Sequence, residues 1–340
     1  MIVSKLDRDI QTLIDKAHED RAEPPRAHMG ASTLGHPCDR WLWLSFRWAV
    51  QQQFLGRILR LFRRGQNEEK TFIVDLRDIG CDIPAKTQQR VDFGSHVAGT
   101  PDAIIESGVP EAPKARHVAE FKTHSKKSFD LLEKDGVEKS KPEHYVQMQI
   151  YMAGTKIPRA LYVSVCKDDD RIYTERIHFD KVVAQKAIER GQRLALSDRM
   201  PEPISSDPSW YQCKFCPAHE FCHQTKITKH VNCRTCAHAT AKEDDTWRCE
   251  RHDANDIPVE YQREGCESHV LHPDLVPWQR KKGLDQWTAV YVIDGKDVAN
   301  GEGDAHVYQS RELLANPSAC ASGDKFIAEV RQEMDGKIVG

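Results

Sequence analysis

The sequence predicts a mixed α/β core with helices on its flanks, followed by a small cysteine-rich C-terminal domain. Three observations lead there. Hydrophobic periodicity between residues 54 and 197 runs helix, strand, strand, strand, helix, strand, strand, helix. Three prolines between Met200 and Pro208 then mark a boundary. Of eleven cysteines, eight fall between Cys213 and Cys266 or pair with that stretch by pattern.

Residues 1–20 carry Ile2, Leu6, Ile10 and Leu13/Ile14 at helical spacing, and the prolines of Arg21 to Gly30 make a linker. Trp41 to Val50 is aromatic and apolar, as a buried helix would be. Leu55, Ile58/Leu59, Phe62, Phe72, Val74 and Leu76 give a long helix that Gly80 terminates. Lys86 to Phe93 alternates weakly, and His96 to Glu106 and Arg116 to Thr123 are short apolar strands. Pro142 to Ala153 is helical. Ala160–Val165 and Arg171–Phe179 form a hairpin around Lys167-Asp168-Asp169-Asp170, and Asp180 caps a helix running to about Ser197. Ala289 to Ile293 is β-like, and Phe326 to Met334 makes a final helix. The expected division is 1–27 for the N-terminal helix and linker, 28–225 for the core domain, and 226–340 for the Cys-rich domain.

With 340 residues, 39% hydrophobic and 30% charged, the chain has the composition of a globular protein of one large or two modest domains. Its apolar runs are too short to span a bilayer. The polar N-terminus has no apolar signal region, so a cytoplasmic location is expected, and the cysteines are expected to bind metal rather than form disulfides. A net charge of −3 does not exclude nucleic acid, because a near-neutral chain can still carry a basic groove. Arg57, Arg60, Arg63 and Arg64 form one local excess, readable as a solvated helix face or as phosphate contacts. Cys81, Cys166 and Cys320 stand apart as ordinary thiols.

Gly99-Thr100-Pro101-Asp102 meets a strand, and Glu120-Phe121-Lys122 follows on the next. Strand alternation puts Glu120 and Lys122 on one face, where Asp102 can join them. Two carboxylates can hold Mg²⁺ or Mn²⁺, with the Phe121 carbonyl as a further ligand. Such an ion activates water and neutralises charge on a phosphodiester. The lysine orients the water or stabilises the developing charge.

Pro101-Asp102 followed by Glu120-Phe121-Lys122 resembles the PD-(D/E)XK (restriction-endonuclease-like) nuclease superfamily. Gln147-Met148-Gln149-Ile150-Tyr151 resembles the Gln-x-x-x-Tyr motif of its RecB-like branch, where Gln147 and Tyr151 would line the DNA groove. Gly65-Gln66-Asn67-Glu68-Glu69 lies where that branch carries Gly-x-x-x-His or an acid. Glu69 thus falls in the metal-ligand position, with Glu68 the less favoured neighbour. Many relatives have histidine there, which leaves the metal preference open.

Cys213-x2-Cys216-x5-Cys222 lacks one cysteine of a tetrahedral thiolate set, and Cys38 is the candidate for it. The one-plus-three layout resembles iron–sulfur nucleases of helicase–nuclease and CRISPR-associated types, which implies a 4Fe–4S cluster clasping the core. Zinc also suits four thiolates, and spacing alone does not choose between them. Cys233, Cys236, Cys249 and Cys266 read as a separate structural zinc site, with His238, His252 and His269 as alternative ligands.

The expected function is a metal-dependent DNA nuclease, exonucleolytic or end-processing, in recombination, repair or phage replication. The alternatives are a CRISPR-adaptation nuclease that trims prespacers and a non-catalytic iron–sulfur and zinc protein that binds nucleic acid. No Gly-x4-Gly-Lys-Ser/Thr phosphate loop is present, so any helicase, or a recombination or replication protein, would be a partner in trans.

Overall fold

A computed structural model describes residues 9–86 and 88–339; Ile2 and Leu6 of the expected first helix lie outside them. In chain order the elements are α1 (Ile10–Glu19), β1 (Met29–Gly30), α2 (Asp39–Phe46), α3 (Gly56–Asp78), β2 (Val91–Asp92), β3 (Val97–Gly99), β4 (Ala103–Ile105), β5 (His117–His124), α4 (Lys126–Ser140), α5 (Pro142–Thr155), β6 (Arg159–Cys166), β7 (Ile172–His178) and α6 (Lys181–Leu196). There follow α7 (Tyr211–Lys214), β8 (Ala239–Ala241), β9 (Trp247–Cys249), α8 (Val259–Glu264), β10 (Gln279–Lys281), β11 (Ala289–Ile293), β12 (Lys296–Asn300), β13 (Val307–Tyr308), α9 (Ser310–Ala315), α10 (Pro317–Ala321) and α11 (Lys325–Met334).

These elements fall into two compact units. One holds the described residues up to His36 together with Gln52–Gln192, and the other holds Pro37–Gln51 and everything from Arg193 onward. This partition differs from the expected boundaries after residues 27 and 225. The reason is the apolar character of α2, in which Leu42, Trp43, Leu44 and Phe46 are all buried. Trp43, Leu44 and Ala49 share one apolar cluster with Ala218, Phe221 and Leu275. Segment 37–51 therefore packs with the C-terminal part of the chain.

In the first unit, β4-β5-β6-β7 form a mixed sheet: β4 and β7 run antiparallel to their neighbours, and β5 and β6 run parallel. A parallel pair needs a long crossover, and α4 with α5 provides it. One face of the sheet buries Ala119 and Phe121 of β5 with Leu161 and Val163 of β6, under Phe72 and Leu76 of α3. The Phe72 and Phe121 rings lie 5.4 Å apart. The stretch read as one strand, His96 to Glu106, is two. β3 pairs with β1 and β2, whereas β4 pairs with β5. Pro101 lies at the break and has no N–H to give to a ladder. The sequence pattern also conceals α4, whose period is interrupted at Gly136 (φ 72°, ψ 176°).

Local signals set the helix ends. Gly80 adopts φ +94° after α3, with its N–H on the Arg77 carbonyl at 2.9 Å and the Cys81 N–H on the Leu76 carbonyl at 2.9 Å. That is the paired hydrogen-bond pattern of a Schellman cap. The Asp180 carboxylate accepts from the Val182 and Val183 N–H groups at 2.8 and 3.1 Å, capping α6.

The second unit contains the β10-β11-β12-β13 sheet and a β8-β9 hairpin. Two arginines lie inside it. Arg234 stands 3.8 Å from the Trp48 ring centroid and donates to the Phe46 carbonyl at 2.9 Å. Arg47 sits over Trp43 and pairs with Asp198 at 3.1 Å. No described helix is long and apolar enough to cross a membrane.

Candidate functional site

The residues read from the PD-(D/E)XK pattern meet where the start of β4 abuts the middle of β5. The register pairs Ala103 with Ala119 and so sets Asp102 beside Glu120. The Asp102 Oδ2 accepts the Phe121 N–H at 2.8 Å, which fixes the carboxylate against the strand. Glu120 is fully buried. The Lys122 ammonium contacts Glu120 Oε1, donates to the Phe121 carbonyl at 3.2 Å, and stands 4.0 Å from Asp102 Oδ2.

Electrostatics tie Glu69 of α3 to the same place. Burial, and then the Asp102 charge, push Glu69 up to about 7. Burial pushes Glu120 up to about 8, with Asp102 and Glu69 adding to the rise and Lys122 opposing it. Asp102 is raised by burial against the pull of Lys122 and the Phe121 N–H. Burial alone would lower Lys122, but Glu120 and Asp102 outweigh it and hold the ammonium charged. Asp102 and Glu120 thus share one poorly solvated spot, and Glu69 lies within reach of their charge.

Gln147 and Tyr151, one turn apart on α5, are both buried, and the Gln147 Nε2 donates to the Tyr151 hydroxyl at 3.2 Å. Burial first and Glu120 second push the Tyr151 phenol up to about 12. Gly99 makes room for this ring: a Cβ there would lie 2.7 Å from Tyr151 Cε1 and 2.8 Å from Ala31 Cβ.

Sequence reasoning missed a polar cluster beside these residues. The Tyr162 hydroxyl lies 2.8 Å from His124 Nε2 and 3.0 Å from His144 Nδ1. Tyr162 is the cross-strand partner of Glu120 on β6. Burial lowers His124 to about 4 and His144 to about 3, so both rings are neutral. The one available signal was histidine two residues beyond Lys122 on the same strand. Of the arginine group, Arg60 pairs with Asp15 of α1, and Arg63 lies 3.3 Å from His18. These two therefore brace α1 against α3.

Both cysteine sets lie in the second unit. The Cys38 Sγ accepts the Trp41 N–H at 3.4 Å at the start of α2. Burial, then the charges of Cys38, Cys222 and Cys213, raise Cys216 to about 11. Burial, then Cys236, Cys266 and Cys249, raise Cys233 to about 12. Each set is therefore within electrostatic reach of itself. Of the alternative ligands, His252 Nε2 lies 3.8 Å from Cys266 Sγ, whereas His269 is occupied by Ser310 at 2.8 Å.

Among the described residues, no group of three or more His, Cys, Asp or Glu side chains is arranged to hold a metal ion. The donor chemistry at Glu120 nevertheless fits a hard cation. Its Oε2 is buried with no hydrogen-bond partner among the described residues, Asp102 lies across the strand pair from it, and Glu69 adds to the rise of its pKa. The two thiol sets fit a soft metal in residue type, and within each set the thiols feel one another's charge.

No family model matches the sequence, and no curated protein matches it. The chain is similar to several solved structures. One is SSO0001, at 16% identity and a TM-score of 0.39, covering 64% of this chain and 98% of that one. Another is the alkaline exonuclease LHK-Exo from Laribacter hongkongensis, at 17% identity and 0.35, covering 53% and 90%. A third is a phage-related exonuclease from Haemophilus somnus 129PT, at 18% and 0.30, covering 39% and 68%. At these TM-scores the likeness carries no weight for the chemistry, which rests on the site's own geometry.

Proposed function

We propose that the chain is a divalent-metal-dependent deoxyribonuclease of the PD-(D/E)XK class, RecB-like branch, that hydrolyses phosphodiester bonds as an exonuclease or DNA-end-processing enzyme. One observation carries this reading: the fully buried Glu120, whose Oε2 has no hydrogen-bond partner among the described residues, stands beside Asp102 and Lys122, with Glu69 in reach of its charge. Asp102, Glu120, Glu69 and the Phe121 carbonyl would hold Mg²⁺ or Mn²⁺. When bound, that ion supplies Lewis acidity and a water of lowered pKa. Asp102 is oriented for the task by the Phe121 N–H. Lys122, kept charged by the carboxylates, orients the attacking water and offsets charge growing on the phosphate. Gln147 and Tyr151 support the wall along which the strand would pass.

The same reading assigns a 4Fe–4S cluster to Cys38, Cys213, Cys216 and Cys222, and zinc to Cys233, Cys236, Cys249 and Cys266. What supports it is the mutual influence of the thiols within each set. Protein purified without oxygen should be brown, absorb broadly near ~400 nm, and contain iron and zinc. A colourless protein with zinc alone would retire the cluster.

The deciding experiment is digestion of end-labelled single- and double-stranded DNA beside a closed circle, with Mg²⁺ or Mn²⁺ and with chelator. Metal-dependent loss of linear DNA that vanishes in Asp102→Ala is expected. DNA bound but uncut under every metal would favour a non-catalytic binding protein.

A further inference from the structure

The second unit carries a cleft of about 390 Å³ that the nuclease reading does not use. Its lining is rich in cationic and polar groups: Lys229, His230, Arg263, Arg311 and Gln51. Val231, Leu314 and Ala315 add apolar surface to it. Arg263 comes from α8 and Arg311 from α9, so separate elements bring the charges together. Among the described residues, no carboxylate lines the cleft.

These cations are held by local contacts, Arg263 over the Trp48 ring at 5.3 Å among them. Lys229 pairs with Glu220 at 2.8 Å, where both side chains are exposed. Arg311 donates to the Glu264 carbonyl at 2.8 Å, an acceptor that carries no net charge. Buried groups register the positive field. After burial itself, Lys229 lowers His230, Arg263 lowers Arg234, and Arg311 contributes to the lowering of His269. The floor is rigid: Asn232 donates to the Trp48 carbonyl at 3.3 Å and accepts the Arg234 N–H at 2.9 Å.

A guanidinium pair is the arrangement that recognises phosphate oxygens in bidentate fashion. The volume lies in the range of small-molecule sites, roughly 300–1,000 Å³, and exceeds what a lone ion fills. We propose that this cleft binds a nucleotide phosphate. Arg263 and Arg311 take its oxygens, and Val231, Leu314 and Ala315 pack the sugar or base. The phosphate comes either from a DNA strand or from a free mononucleotide. Choosing nucleotide over acidic peptide rests on the nuclease reading.

The test uses the full chain in an Asp102→Ala background without added metal, so that no DNA is cut. Binding of a labelled 20-nucleotide single strand and of dTMP is measured with and without Arg263→Gln/Arg311→Gln. Loss of two phosphate contacts should weaken the strand about tenfold and make its salt slope shallower by about 1.4, at roughly 0.7 per contact. Weakening of dTMP alone would assign the cleft to free nucleotide; either result upholds it. Unchanged affinity for both probes overturns it, as does loss confined to a polyglutamate peptide. Arg263 lies over the Trp48 ring at 5.3 Å, so Arg311→Glu alone serves if the double variant loses its thermal transition. Should the wild-type chain cut nothing with Mg²⁺ or Mn²⁺, the nuclease reading fails while the binding result stands.

Discussion

At the scale of single residues, Glu120 and Asp102 are the most exacting positions. A buried carboxylate with an unpartnered oxygen is costly unless a cation or proton answers it. Asp102→Ala or Glu120→Ala should abolish Mg²⁺- or Mn²⁺-dependent cleavage with the fold retained, checked by end-labelled digestion beside circular dichroism. Lys122→Ala should slow cleavage yet spare metal binding, measured by calorimetry, because it removes the charge that faces the phosphate and leaves the carboxylates. Wild-type cutting by Asp102→Ala would refute the assignment. Gly99 makes a different demand, since a Cβ there collides with Tyr151 at 2.7 Å. Gly99→Ala should cost about 1–3 kcal/mol through overpacking, read as a lower denaturant midpoint at unchanged m-value.

At the scale of elements, the Tyr162 hydroxyl joins β6 to His124 on β5 and His144 on α5. A hydroxyl has one proton, so it donates to one ring and accepts from the other. Tyr162→Phe leaves both ring nitrogens without that partner and should cost about 1–3 kcal/mol, measured by urea unfolding. Acid should weaken the second unit through its own histidines. Burial lowers His269 from 6.5 to about 3 and His272 from 6.5 to about 4. The unfolded chain takes up protons near 6.5 that the native rings refuse. Their contribution is therefore complete above that pH and declines as pH falls toward 4. The urea midpoint should drop between pH 7.5 and 5, and His269→Gln should flatten the drop.

At the scale of the whole molecule, the two units interleave in sequence, since 37–51 belongs with the C-terminal part. Trp43 and Leu44 are buried with Leu275, so truncation after Thr225 should expose that apolar cluster and yield an aggregating fragment. Cys38 and Cys236 lie in the same unit, so Cys38→Ser and Cys236→Ser should each lower that unit's thermal transition. A soluble, cooperatively folding 1–225 fragment would show the partition to be wrong.

What the sequence determined by itself was local. Alternation on one strand puts Glu120 and Lys122 on a common face. Gly80 and Asp180 announce helix ends because their caps are made within a few residues. Gln147 and Tyr151 share a helix face at a spacing of four. Long-range packing decided the rest. Pro101 divides one apolar run between two sheets, and a break at Gly136 hides a helix. His144 reaches Tyr162 across 18 residues of chain. Segment 37–51 sits with Leu275 more than 200 positions away, and the cationic cleft unites α8, α9 and the 229–232 loop. Periodicity and capping act over one or two turns and are written in neighbouring residues. Which buried faces meet depends on shape and apolar area summed over the folded chain, and no local pattern encodes it.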